Sequence, residues 1–209
     1  MKIFYNISQR HLIVVPFRNG SSHLHHHAIE YKLTEVTHSP IFNGIISEVE
    51  KKTFLYRDPC VRLMSYYKRF VFDTQAVKTF AKEDQDTNLA NKLFKPVTRG
   101  NDLLSDMILA TDKLIKNYKE DFHTTPQSDY FKDERYDQNI SDYEIVSINQ
   151  YAKWLKLTFV DKKTTQSTSA LDSIIINPSN FRNMQRIQDL CMTLYKDDYE
   201  LLEPNITYL

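Results

Sequence analysis

His11-Leu12-Ile13-Val14-Val15 is an unbroken β-branched and apolar run stopped by Pro16, and it predicts a short buried strand. A polar turn, Phe17-Arg18-Asn19-Gly20-Ser21-Ser22, follows and opens a helical pattern that runs to about Leu33. A second buried strand is predicted over residues 52–56, with Pro59 suited to the first turn of a helix reaching about Phe72. A polar segment over residues 82–91 precedes a helix over about residues 101–118. Tyr143-Glu144-Ile145-Val146-Ser147-Ile148 predicts a third strand, residues 150–157 a short helix, and residues 161–170 a polar loop. Residues 178–195 close the pattern as an amphipathic helix, with Phe181, Met184, Ile187, Leu190 and Leu194 on one stripe. Strands alternating with helices predict an α/β fold: a single domain over residues 1–209, with a mostly parallel sheet flanked by helices.

Composition narrows the function classes. At 209 residues and 41% hydrophobic, the chain can bury a substantial core. Its 27 basic and 27 acidic side chains cancel, which argues against broad capture of nucleic acid or of an anionic membrane. No apolar run has the length of a membrane span and Met1 to Asn6 lacks the apolar stretch of a signal peptide, so a cytoplasmic protein is expected. Cys60 and Cys191 read as reduced structural thiols. Asn19-Gly20-Ser21 is formally a glycosylation sequon, but it falls in a loop whose chemistry points elsewhere.

That loop, Arg18 to Ser22, follows a strand and opens a helix, so its backbone N–H groups can face an anion while Gly20 permits close approach and the serines add hydroxyl donors. A second anion site is suggested at Leu55-Tyr56-Arg57-Asp58-Pro59-Cys60-Val61-Arg62-Leu63-Met64-Ser65-Tyr66-Tyr67, where Arg57 sits at a strand end and Ser65 two turns into the next helix. The Gly-x-x-x-x-Gly-Lys-Ser/Thr pattern of nucleotide-hydrolysing P-loops is absent.

Arg-Asp-Pro-x-x-Arg-x-x-Ser-x-Tyr resembles the 3′-phosphate motif of sulfotransferases that use 3′-phosphoadenosine 5′-phosphosulfate (PAPS), in particular the heparan 2-O-sulfotransferase-like branch. Arg18-Asn19-Gly20-Ser21-Ser22 resembles that family's 5′-phosphosulfate loop, with Arg18 where lysine is usual. The substitution keeps the charge but exchanges a compact ammonium for a planar fork. The resemblance implies a P-loop-like sulfotransferase fold and metal-free transfer of a sulfuryl group from PAPS to a hydroxyl of a small molecule or glycan. It implies binding of the 3′-phosphate by Arg57 and Ser65 with help from Arg62, and of the 5′-phosphosulfate by Arg18, Asn19, Gly20, Ser21 and Ser22.

Sulfuryl transfer to a hydroxyl needs a proton acceptor. The resemblance implies His38, which lies 57 − 38 = 19 residues before Arg57; His26, 26 − 18 = 8 residues after the loop cation, is the alternative. His23, His25, His26 and His27 lack the companions of a zinc motif and read as a solvated or substrate-facing cluster. His123-Thr124-Thr125-Pro126-Gln127 resembles the family's His-x-x-Pro-Gln element, which implies His123 and Gln127 near the acceptor. Tyr195-Lys196-Asp197-Asp198-Tyr199-Glu200-Leu201 resembles its closing Tyr-x-x-Asp-Tyr-x-Leu signature, read here as a folding element. A P-loop-like nucleotide kinase and a non-catalytic nucleotide-binding protein remain as alternative functions.

Overall fold

The computed structural model describes residues 1–17, 19–37, 45, 47–66, 118–119, 123–132, 139–159 and 181–208. The chain is α/β and forms two compact units from interleaved segments: Met1–Asp58 with Gln127–Thr164 and Asp197–Leu209, and Pro59–Pro126 with Thr165–Lys196.

The first unit is built on five strands, β1 (Lys2–Asn6), β2 (His11–Val15), β3 (Leu33–Glu35), β4 (Lys51–Tyr56) and β5 (Glu144–Ser147), in the order β3-β1-β2-β4-β5. β2, β4 and β5 run parallel, whereas β1 is antiparallel to both β2 and β3. The sheet is therefore mixed, not mostly parallel. Two elements account for the difference. β1 pairs with β2 through the tight turn at Ile7 to Arg10, where Arg10 takes φ 50°. The helix from Ser21 stops at His26 instead of continuing to Leu33, and Lys32, at φ 54°, turns the chain into β3.

Alternation along the strands sorts the core into two faces. Phe4, Ile13, Val15, Leu33, Leu55 and Val146 pack with Leu24 of α1 (Ser21–His26) and with Tyr151, Trp154 and Leu155 of α3 (Tyr151–Thr158). Ile3, Tyr5, Leu12, Val14, Phe54, Tyr56 and Ile145 pack on the opposite face with Tyr130 and Leu202. Every residue of β2 is buried, as its unbroken apolar run requires. β5 is covered by Ile206 and Thr207, whose N–H donates to the Ile145 carbonyl over 2.7 Å.

In the second unit, α2 (Pro59–Tyr66) begins on proline and buries Cys60, Leu63 and Tyr66. α4 (Phe181–Leu194) buries Ile187 and Cys191. No described helix is long and apolar enough to cross a membrane.

Candidate functional site

The carboxyl ends of β2 and β4 lie side by side, because these strands are parallel neighbours in the register Val14 to Phe54. β2 runs into Pro16, and the Asn19 N–H donates to the Pro16 carbonyl over 3.1 Å to form a turn. Gly20 then takes φ 88°, a left-handed conformation that glycine adopts without steric penalty, and becomes the N-cap of α1. Its carbonyl accepts the first helical bond, from Leu24 at 3.1 Å. No side chain caps this terminus and its first turn holds no acidic residue. Ser21 is buried and Ser22 exposed.

Asn19 fastens the loop to β4. Its side chain is fully buried, and Nδ2 donates to the Leu55 carbonyl over 2.6 Å and to Gln127 Oε1. Gln127 Oε1 also accepts the Arg57 N–H at 3.1 Å, while Gln127 Nε2 donates to the Arg57 carbonyl at 2.8 Å and to Asp198 Oδ2 at 3.2 Å. Both lone pairs and both hydrogens of one amide are thereby used. Asp198, fully buried, also accepts the Gln127 N–H at 2.9 Å and the Ser128 N–H at 2.7 Å. Beside it, the Tyr199 hydroxyl donates to Asp58 Oδ2 over 3.3 Å.

Arg57 is half-buried at the end of β4, in the same unit as the glycine loop. Tyr56, one residue earlier, is buried, and burial followed by the negative charges of Glu203, Asp58 and Asp198 holds its phenol well above the usual range. It therefore stays protonated at neutral pH and is no base.

Arg62 and Ser65 belong to α2, in the second unit. Arg62 is 2% exposed and its Nη1 donates to the Thr125 carbonyl over 2.8 Å, bracing α2 against the segment that carries His123. Ser65 is half-buried. The half-buried His123 ring lies 6.1 Å from the Tyr66 ring, between centroids. Gln127, in contrast, is 2% exposed and engaged as described.

His26 is exposed on α1, with its ring 5.8 Å from that of His25. His25 Nδ1 meets Glu35 Oε2 at 2.8 Å, and Lys2 Nζ meets the same oxygen at 2.9 Å. His23 and His27 lie 4.5 Å apart by ring centroids, and burial, then the neighbouring His27, lowers the pKa of His23. Among the described residues, no three His, Cys, Asp or Glu side chains group as a metal site. Arg18 and His38 lie outside the described residues.

The connection of Asn19, Gln127 and Asp198 is the part of this site that sequence reading did not assemble. The signatures containing Gln127 and Asp198 are visible in the chain, but their pairing across 71 residues is not. No family model matches the chain, and no curated protein or solved structure matches it either.

Proposed function

We propose that the protein is a PAPS-dependent sulfotransferase acting on a hydroxyl acceptor, with carbohydrate as the favoured class. The observation that carries this reading is the adjacency of a donor-rich glycine turn and an arginine at the carboxyl ends of neighbouring parallel strands. The Gly20 turn follows β2, Arg57 follows β4, and the Asn19 amide bonds the one strand's loop to the Leu55 carbonyl near the end of the other strand. Ligands of open α/β sheets lie at such strand ends.

The residues fit a doubly anionic nucleotide. The uncapped first turn of α1, free of acidic side chains, leaves backbone N–H groups for a phosphosulfate, and the left-handed Gly20 shapes the turn that presents them. Arg57 offers a guanidinium for the 3′-phosphate. Bound PAPS supplies the sulfuryl group. His38, from its place in the sequence, takes the acceptor hydroxyl proton as the oxygen bonds to sulfur, and Arg18 carries the charge that builds on the departing phosphate oxygen. His26, exposed on α1, is the alternative base.

Thermal unfolding with 3′-phosphoadenosine 5′-phosphate (PAP), or with ATP and magnesium, tests this reading. At a hundredfold excess over Kd, PAP should stabilise the protein by about 2.7 kcal/mol, a rise of roughly 5–10 °C in Tm. Labelled sulfate should pass from PAPS to a member of a carbohydrate panel. No stabilisation by PAP overturns the proposal, and stabilisation by ATP with magnesium alone would favour the kinase reading.

A further inference from the structure

We infer that Gln127 and Asp198 form a buried clasp that fixes the spacing between the Gly20 loop and Arg57, making both positioning residues for the donor nucleotide. The inference rests on the donor site proposed above, but the clasp itself is defined by geometry alone.

The Gln127 amide is the shared element. Through Asn19 it holds the loop after β2, and through both the N–H and the carbonyl of Arg57 it holds the backbone after β4. Rotation of that amide would break bonds to both segments together. Asp198 prevents the rotation: one carboxyl oxygen holds the Gln127 side chain and backbone N–H, and the other holds the next N–H along the chain, that of Ser128. The carboxyl is fully buried, and its three donors account for its retention in the interior. Asp198 opens a short π-helical segment, Asp198–Leu202, and the following Tyr199 bonds Asp58, one residue beyond Arg57. The C-terminal signature thus acts on the strand-end geometry at two adjacent points. None of these side chains is required to touch the nucleotide; they set where the groups that do so stand.

Asp198→Asn tests this at constant size. A carboxamide has one oxygen, so whichever way it turns an N–H faces an N–H, from Ser128 or from Gln127. Gln127→Met keeps the length and removes all four side-chain bonds. In unliganded protein, each variant should speed amide hydrogen exchange at Arg57 and residues 19–24 by tenfold or more, with β1 unchanged. PAP affinity by calorimetry should fall by roughly tenfold to a hundredfold, the scale of a misplaced binding group. A purely structural role would lower Tm while leaving the affinity of the folded protein intact. Asp197→Asn, at the half-exposed neighbour that pairs with Lys132, is the control and should change neither readout.

Unchanged exchange at Arg57 and residues 19–24 in both variants overturns the clasp, whatever the nucleotide results. Faster exchange with full PAP affinity overturns the positioning role, and so does failure of both variants to fold. If the wild-type protein binds no PAP, the proposed sulfotransferase function falls, and the clasp then stands or falls on the exchange data.

Discussion

Acid should destabilise this protein through His11. The imidazole is 1% exposed at the start of β2; its Nε2 lies 2.8 Å from Thr53 Oγ1, and its ring meets Trp154 edge to face at 6.4 Å between centroids. Burial, with a smaller contribution from the Lys51 charge, lowers its pKa from 6.5 to about 4. A folded state that resists protonation binds fewer protons than the unfolded chain, so the stabilisation is complete above pH 6.5. It is lost as pH falls from 6.5 through about 4. The full shift corresponds to about 3 kcal/mol, and most of it disappears between about pH 7.5 and 4.5. Urea unfolding of wild type and His11→Gln at both pH values isolates this contribution, since the other titrating groups cancel in the difference. The wild-type loss should exceed that of the variant by about 2–3 kcal/mol. Equal losses in the two proteins would show that His11 is not held neutral by burial, and would refute the reasoning.

Three further outcomes are expected, two from the geometry and the one at His38 from its place in the sequence. Gly20→Ala should destabilise by about 1–2 kcal/mol in urea unfolding, because its φ of 88° is unfavourable for an L residue. The added Cβ would itself meet only ordinary contacts, Ile148 Cδ1 at 3.4 Å and Tyr151 Cζ at 3.5 Å, so a much larger loss would implicate packing instead. His38→Ala should retain PAP affinity and lose sulfate transfer; transfer that survives this change but not His26→Ala exchanges the two roles. Asp197→Asn should shift stability by less than about 1 kcal/mol, since its bridge to Lys132 is half exposed, and a denaturation midpoint measures it.

The parallel heart of the sheet is legible because β2 and the central residues of β4 and β5 are buried and form short apolar runs bounded by turn residues. The pattern does not predict β1, although Ile3, Phe4 and Tyr5 are all buried, because so short an apolar run carries no period of its own. The helix over-read beyond His26 has a physical cause. Leu24, Ala28 and Tyr31 have helical spacing and do share one core, but turns over residues 27–32 bring them there. Single-sequence periodicity cannot separate these routes to the same burial. At the candidate site, the glycine turn and the strand-end arginine were legible from local order. The clasp was not, since it depends on Asn19, Gln127 and Asp198 meeting from three remote segments.

The most direct test of the account is calorimetric titration of PAP into wild-type protein and Arg57→Ala. Saturable one-to-one binding by the wild type, weakened at least tenfold in the variant, is the predicted result, since a charge-assisted contact to phosphate contributes about 1.5–3 kcal/mol. Equal affinities in the two proteins, or no binding by the wild type, would contradict it.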